Sequence, residues 1–113
     1  MPHLDIRSSK PICEATRNEL QLEIGKIMPV IPGKTVSNTL ISIADNYIMY
    51  KDAQALEAVF VDIRLYKASP EESKAEFAKQ LTKLLEAKLK VPPVNIQMNF
   101  VELPSWTVNG DYF

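Results

Sequence analysis

Few residues in this 113-residue chain could carry chemistry, and the most unusual of them stands second. Pro2 follows Met1 directly. An initiator methionine is ordinarily removed when the next residue is small, so the expectation is a chain that begins with a free prolyl amine. An α-amino group titrates at about 7.7–8.0. Burial at the start of a strand disfavours its charged form and lowers that value further. The result would be a neutral general base at neutral pH, held in place by the strand it begins. Alone, a second-position proline does no more than permit methionine removal, so Pro2 needs partners. Lys34, in a Pro-Gly-Lys turn, could pair with an anion or could equally be a solvated loop lysine. Arg64 could clamp a carboxylate bidentately, or could pair with Asp62 or Asp5. His3 and Cys13 are the only imidazole and thiol. They are too few for a structural zinc site within one chain, and one cysteine makes no intramolecular disulfide.

The elements that must position these groups repeat. Leu4-Asp5-Ile6-Arg7 is echoed by Val61-Asp62-Ile63-Arg64. In the first copy, alternation puts Leu4 and Ile6 on one face and His3, Asp5 and Arg7 on the other, which predicts a half-buried strand. From about Pro11 to Ile31 the spacing turns helical: Cys13, Leu20, Ile24, Ile27, Met28 and Ile31 share a stripe. Pro11 suits the first helical turn, and Pro29 with Pro32-Gly33 ends the helix. A second strand is predicted over Thr39–Ala44, with a turn at Asp45-Asn46 and then a loop holding a short strand up to Ala55. The second copy opens with a strand over Ala58–Tyr66, placing Val59, Val61, Ile63 and Leu65 on one face. Ser69-Pro70-Glu71-Glu72 reads as a capping box. It is followed by a stripe of Phe77, Leu81, Leu84, Leu85 and Leu89, with Lys74, Lys79, Lys83 and Glu86 facing water. Pro92-Pro93 stops that helix, and a strand from Asn95 to about Glu102 closes the unit. Val108-Asn109-Gly110 predicts a turn before a short terminal strand.

The order is β-α-β followed by β-α-β: a single α+β domain over residues 1–113, with pseudo-repeats at about 2–45 and 58–102. Two right-handed units side by side give a four-stranded mixed sheet with both helices on one face. The other face stays open and calls for partners. Three sheets could enclose a central channel in a homo-oligomer, or the domain could be a ferredoxin-like monomer whose polar face meets water.

Composition narrows the function classes. Hydrophobic residues make up 46% and charged residues 24%, with a formal charge of −1. A basic face that tracks phosphates is therefore not expected, so no nucleic-acid partner is assigned. No apolar run approaches the roughly 18 residues of a membrane span, and His3–Lys10 does not read as a signal peptide. The expected setting is the cytoplasm, or export by an unconventional route.

Taken together, Pro2, Gly33-Lys34, the strand FVDIRLY, the segment KLKVPPVNIQMNF and the tail from Trp106 through Asn109-Gly110 to Phe113 resemble the tautomerase superfamily. The resemblance is to its macrophage migration inhibitory factor branch (phenylpyruvate tautomerase-like), and it spans the whole chain. It implies a homotrimeric barrel with active sites between subunits, no cofactor and no metal. It implies an N-terminal proline, Pro2, that moves a proton between carbon and oxygen of a small α-keto acid or its enol. Lys34 matches the lysine that pairs with the substrate carboxylate, and Ile63 the residue whose backbone N–H also binds it. Asn99 matches an asparagine supplied by the adjacent subunit, and Phe113 the aromatic lining. Gln97 stands where the cytokine members carry a tyrosine, and their Cys-x-x-Cys is absent near Gln54–Glu57. Two alternatives remain: a signalling or interaction protein with vestigial activity, and a muconate-type dicarboxylate isomerase to which Arg64 would lend a second cation.

Overall fold

The computed structural model describes residues 1–113. Strand β1 (Pro2–Ser8) is followed by helix α1 (Glu14–Ile27) and strand β2 (Leu40–Ala44). A small hairpin of β3 (Tyr50–Lys51) and β4 (Gln54–Ala55) precedes β5 (Val59–Tyr66), α2 (Glu71–Leu89) and β6 (Ile96–Leu103), and a terminal hairpin of β7 (Thr107–Val108) and β8 (Asp111–Tyr112) ends the chain. The main sheet has the order β2-β1-β5-β6. β1 and β2 are parallel, as are β5 and β6, and β1 meets β5 antiparallel. This is the predicted pair of βαβ units, with the two opening strands joined at the centre. Their register places Asp5 directly opposite Asp62, so the echoed tetrapeptides face each other about a pseudo-twofold axis.

Like charges opposed across a ladder are unfavourable, and each carboxylate is offset by the arginine two residues along its own strand. Arg7 lies 3.0 Å from Asp5, and Arg64 lies 3.4 Å from Asp62. Asp5 also accepts from Ser42 Oγ at 2.8 Å. The register partner of Asp62 on β6 is Asn99, which turns its carbonyl oxygen to the Ile63 N–H instead. One buried oxygen of Asp62 is left without a hydrogen-bond partner.

The other face of the sheet carries the core. Leu4, Ile6, Val59, Val61, Ile63 and Leu65 alternate inward and are fully or almost fully buried. They pack with Leu20, Ile24 and Met28 from α1 and its exit, and with Phe77, Leu81, Leu85 and Leu89 at a strict four-residue spacing on α2. Each such side chain contributes about 1.5–3 kcal/mol when fully buried. Phe77 also meets the Phe100 ring edge-on, with centroids 6.3 Å apart.

Three local expectations are corrected. Helix α1 starts at Glu14, so Pro11 is outside its first turn and Cys13 is exposed at the N-cap. Asp45 accepts the Ile12 N–H at 2.6 Å, and the next residue, Cys13, is extended at the N-cap. The capping box at Ser69 does not form: Pro70 is the N-cap, with no side-chain hydrogen bond. The Ser69 N–H donates instead to Glu102 Oε2, at 2.7 Å. The same carboxylate oxygen takes Lys74 Nζ at 3.0 Å, so the Lys74 side chain, only 12% exposed, is folded into the junction of α2 and β6.

Candidate functional site

Four pieces of the chain meet where β1 begins. Register puts Pro2 opposite Leu65, and Pro2 is buried at the end of the core face. One residue farther along β5, the Tyr66 N–H donates to the Met1 carbonyl at 3.1 Å. Ile31-Pro32-Gly33-Lys34 forms a tight turn closed by Lys34 N–H donating to the Ile31 carbonyl at 3.1 Å. Gly33 has φ 78°, the left-handed conformation that a type II turn requires after proline. Asn38 braces this loop, donating to the Gly33 carbonyl and accepting the Thr35 N–H. Lys34 is thereby aimed at the end of β5, where its Nζ donates to the Tyr66 carbonyl at 3.2 Å.

The terminal hairpin supplies the wall. Asn109 and Gly110, at φ 54° and 79°, make the two left-handed residues of a hairpin turn. Two backbone bonds between Trp106 and Phe113 close its base. Phe113 lies 6.1 Å from the Tyr66 ring, centroid to centroid. Trp106, Thr107 and Val108 then face Met1, Pro2 and Leu40 across a cleft of about 530 Å³. Several polar groups along its rim are already satisfied within the loop: Thr39 Oγ1 donates to the Thr35 carbonyl, and Ser37 Oγ is bonded to Thr35 Oγ1. The exposed lining is therefore largely apolar, and the Tyr66 N–H and Lys34 adjoin it through Met1.

Met1 shows what this environment does to an amine. Burial, first, and the neighbouring Lys34 ammonium, second, hold its N-terminal amine below the ordinary value of 8.0.

The structure sets Lys34 and Tyr66 beside Met1, the residue before Pro2, and Phe113 against the Tyr66 ring, outside the lining of the Pro2 cleft. It places Ile63 elsewhere. Ile63 sits opposite Leu4, two residues deeper in the ladder, and its N–H donates to Asn99 Oδ1 at 3.3 Å. The N–H at the mouth is that of Tyr66. Gln97 and Asn99 lie on β6, across β5 from β1, outside the Pro2 cleft of the same chain. Gln97 instead lines a small pocket of about 260 Å³ with Met49, Tyr50 and Phe60. Arg64 is 54% exposed and bound to Asp62 on the open sheet face.

No protein-family model matches the chain. No curated protein matches it by sequence. Solved structures do. The Leishmania major protein MIF2 superposes with a TM-score of 0.92 at 16% identity, over 100% of this chain and 97% of that one. The fold is that of macrophage migration inhibitory factor-like proteins. A macrophage migration inhibitory factor-like protein from Entamoeba histolytica gives a TM-score of 0.87 at 24% identity, covering 99% and 98% of the two chains. A protein designated N1, from the cis-3-chloroacrylic acid dehalogenase family, gives 0.84 at 14% identity over 96% and 81%. In this MIF-like fold, the first strand of each βαβ unit lies at the sheet centre, which carries Pro2 and the end of β5 to one mouth.

Proposed function

We propose that the chain, once it begins at Pro2, is a cofactor-independent keto–enol tautomerase of small α-keto acids. One observation carries the reading: Met1, which lines an apolar cleft together with Pro2, has its carbonyl on the Tyr66 N–H and its amine beside the Lys34 ammonium. The substrate carboxylate takes the Tyr66 N–H and Lys34, a hydrogen bond and a charge at one anchor. Burial and the nearby Lys34 favour the neutral form of the Pro2 amine, as they lower the basicity of the Met1 amine one residue away. The neutral amine removes a proton from the carbon next to the ketone, and the electron pair moves onto the ketone oxygen. The resulting prolyl ammonium returns the proton to that oxygen, giving the enol with no change of oxidation state. The reverse path regenerates the ketone. Nothing in the step calls for a metal or an organic cofactor.

The enolate oxygen needs a hydrogen-bond donor. Asn99 fills that role if a second copy presents its β6 to the cleft, and Gln97 comes with it. The proposal therefore includes a homotrimer with sites between subunits, in which the open sheet faces enclose a channel. The nature of the cleft supports monocarboxylates with apolar tails over dicarboxylates, because Arg64 is engaged by Asp62 on the other side of the sheet.

The test compares wild type, shown by intact mass to start at Pro2, with Pro2→Gly. Enol forms of aryl and alkyl keto acids and a muconate-type dicarboxylate serve as the panel. Loss of a positioned general base lowers turnover by roughly 10²-fold or more. Full turnover by Pro2→Gly would remove Pro2 from the mechanism. Absence of turnover in wild type, alongside an intact biological effect, would favour an interaction protein.

A further inference from the structure

We propose that Met1, while present, is a built-in occupant of the carboxylate anchor, so that its removal opens the binding site as well as freeing the base. This rests on the reading above that Tyr66 N–H and Lys34 form the anchor. Met1 does more than acylate the proline nitrogen. Its carbonyl oxygen accepts the Tyr66 N–H at 3.1 Å, where a carboxylate oxygen would sit. Met1 also lines the cleft alongside Pro2, Leu40 and Trp106. A peptide carbonyl is a good acceptor but a poor counterion. Lys34 therefore receives no negative charge from this occupant and satisfies itself on the Tyr66 carbonyl at 3.2 Å. The Met1 amine supplies no negative charge either, and Lys34 is among the causes that lower its basicity.

The seated methionine thus satisfies the hydrogen bond of the anchor and leaves the charge unmet. When Met1 leaves, the Tyr66 N–H loses its acceptor, and an unpaired donor in a partly buried site is costly. The vacated end then offers one N–H and one ammonium with no acceptor of opposite charge. That is the requirement of a carboxylate. Blocking the base alone would leave substrate binding intact. Blocking the anchor removes binding too, and the two accounts differ in a measurable way.

The experiment uses two full-length preparations, one starting at Pro2 and one retaining Met1 through inhibition of methionine removal, each verified by intact mass. The probe is 3-phenylpropanoate, a carboxylate with an apolar tail and no keto group. Binding is followed by the shift of the Tyr66 amide resonance and by calorimetry, with Lys34→Met in the Pro2-starting form as the control. The expected result is saturable binding by the Pro2-starting form, lost in Lys34→Met, and affinity weaker by roughly tenfold or more when Met1 is retained. Equal affinity of the two forms, or no binding at the Tyr66 amide by either, overturns the proposal. A Pro2-starting form that binds the probe yet turns over no keto acid sinks the tautomerase reading and leaves this inference standing.

Discussion

Replacing Lys34 by methionine keeps most of the side-chain stem and removes the ammonium. In the structure that ammonium makes one part-buried hydrogen bond to a carbonyl, that of Tyr66 at 3.2 Å. Losing it costs about 1 kcal/mol of stability at most, because water can replace the donor. Losing its bond to a substrate carboxylate is a larger effect, about 1.5–3 kcal/mol for a hydrogen bond to a charged group. At 1.36 kcal/mol per decade this lowers kcat/KM about 10- to 150-fold. The carboxylate does not change charge during proton transfer, so the anchor binds ground and transition states alike. The loss therefore falls on KM and largely spares kcat. Initial rates of enol consumption, followed by ultraviolet absorbance over a range of substrate concentrations, separate the two constants. A thermal melt of the variant shows that the fold survives. Lys34→Arg restores part of the affinity, since it returns the charge in a different shape. A Lys34→Met variant with unchanged KM, or with kcat alone reduced, would refute the anchor.

Two further outcomes follow from packing and titration. Gly25 on α1 leaves room for Val36: a Cβ there would stand 2.8 Å from Val36 Cγ2 and 3.2 Å from its Cβ. Gly25→Ala gains about 1 kcal/mol of helix propensity but pushes the loop that carries Lys34, so KM rises while Tm stays near wild type. An unchanged KM with a clearly higher Tm would show that the loop does not depend on this contact. Glu102 is held below the usual carboxylate value of 4.5, first by the Ser69 N–H and then by Lys74. Its contribution to stability is complete above that value and is lost as pH falls through the lower folded-state pKa. Thermal melts across that acid window should therefore fall more steeply for wild type than for Glu102→Gln, and parallel curves would exclude the carboxylate as a source of the acid loss.

Much of the fold was legible because its signals are local. Alternation over Leu4–Arg7 and Val59–Tyr66 marked the opening strands, and Phe77 to Leu89 marked α2. What could not be read required partners distant in sequence. The Ser69 capping box is locally plausible, yet Glu102, on another strand, takes the Ser69 N–H. Pro11 suits a helix start, yet Asp45, distant in sequence, takes the Ile12 N–H and the helix begins at Glu14. The site followed the same rule. Pro2 stood out by position and Lys34 by its Pro-Gly turn, both local features. The N–H at the mouth depends on the register of β1 against β5, and only that register shows that Tyr66 lies beside Met1 while Ile63 lies deeper. Alternation identifies the face of a strand, but it does not say how far one strand slides along another.

The central claim is a neutral, positioned amine at Pro2. Its most direct test is an NMR titration of the Pro2 nitrogen in protein shown by mass to begin there. Burial and Lys34 predict an apparent pKa below the ordinary α-amino range of about 7.7–8.0. A value above about 9 would leave the amine protonated at neutral pH and contradict its role as the base.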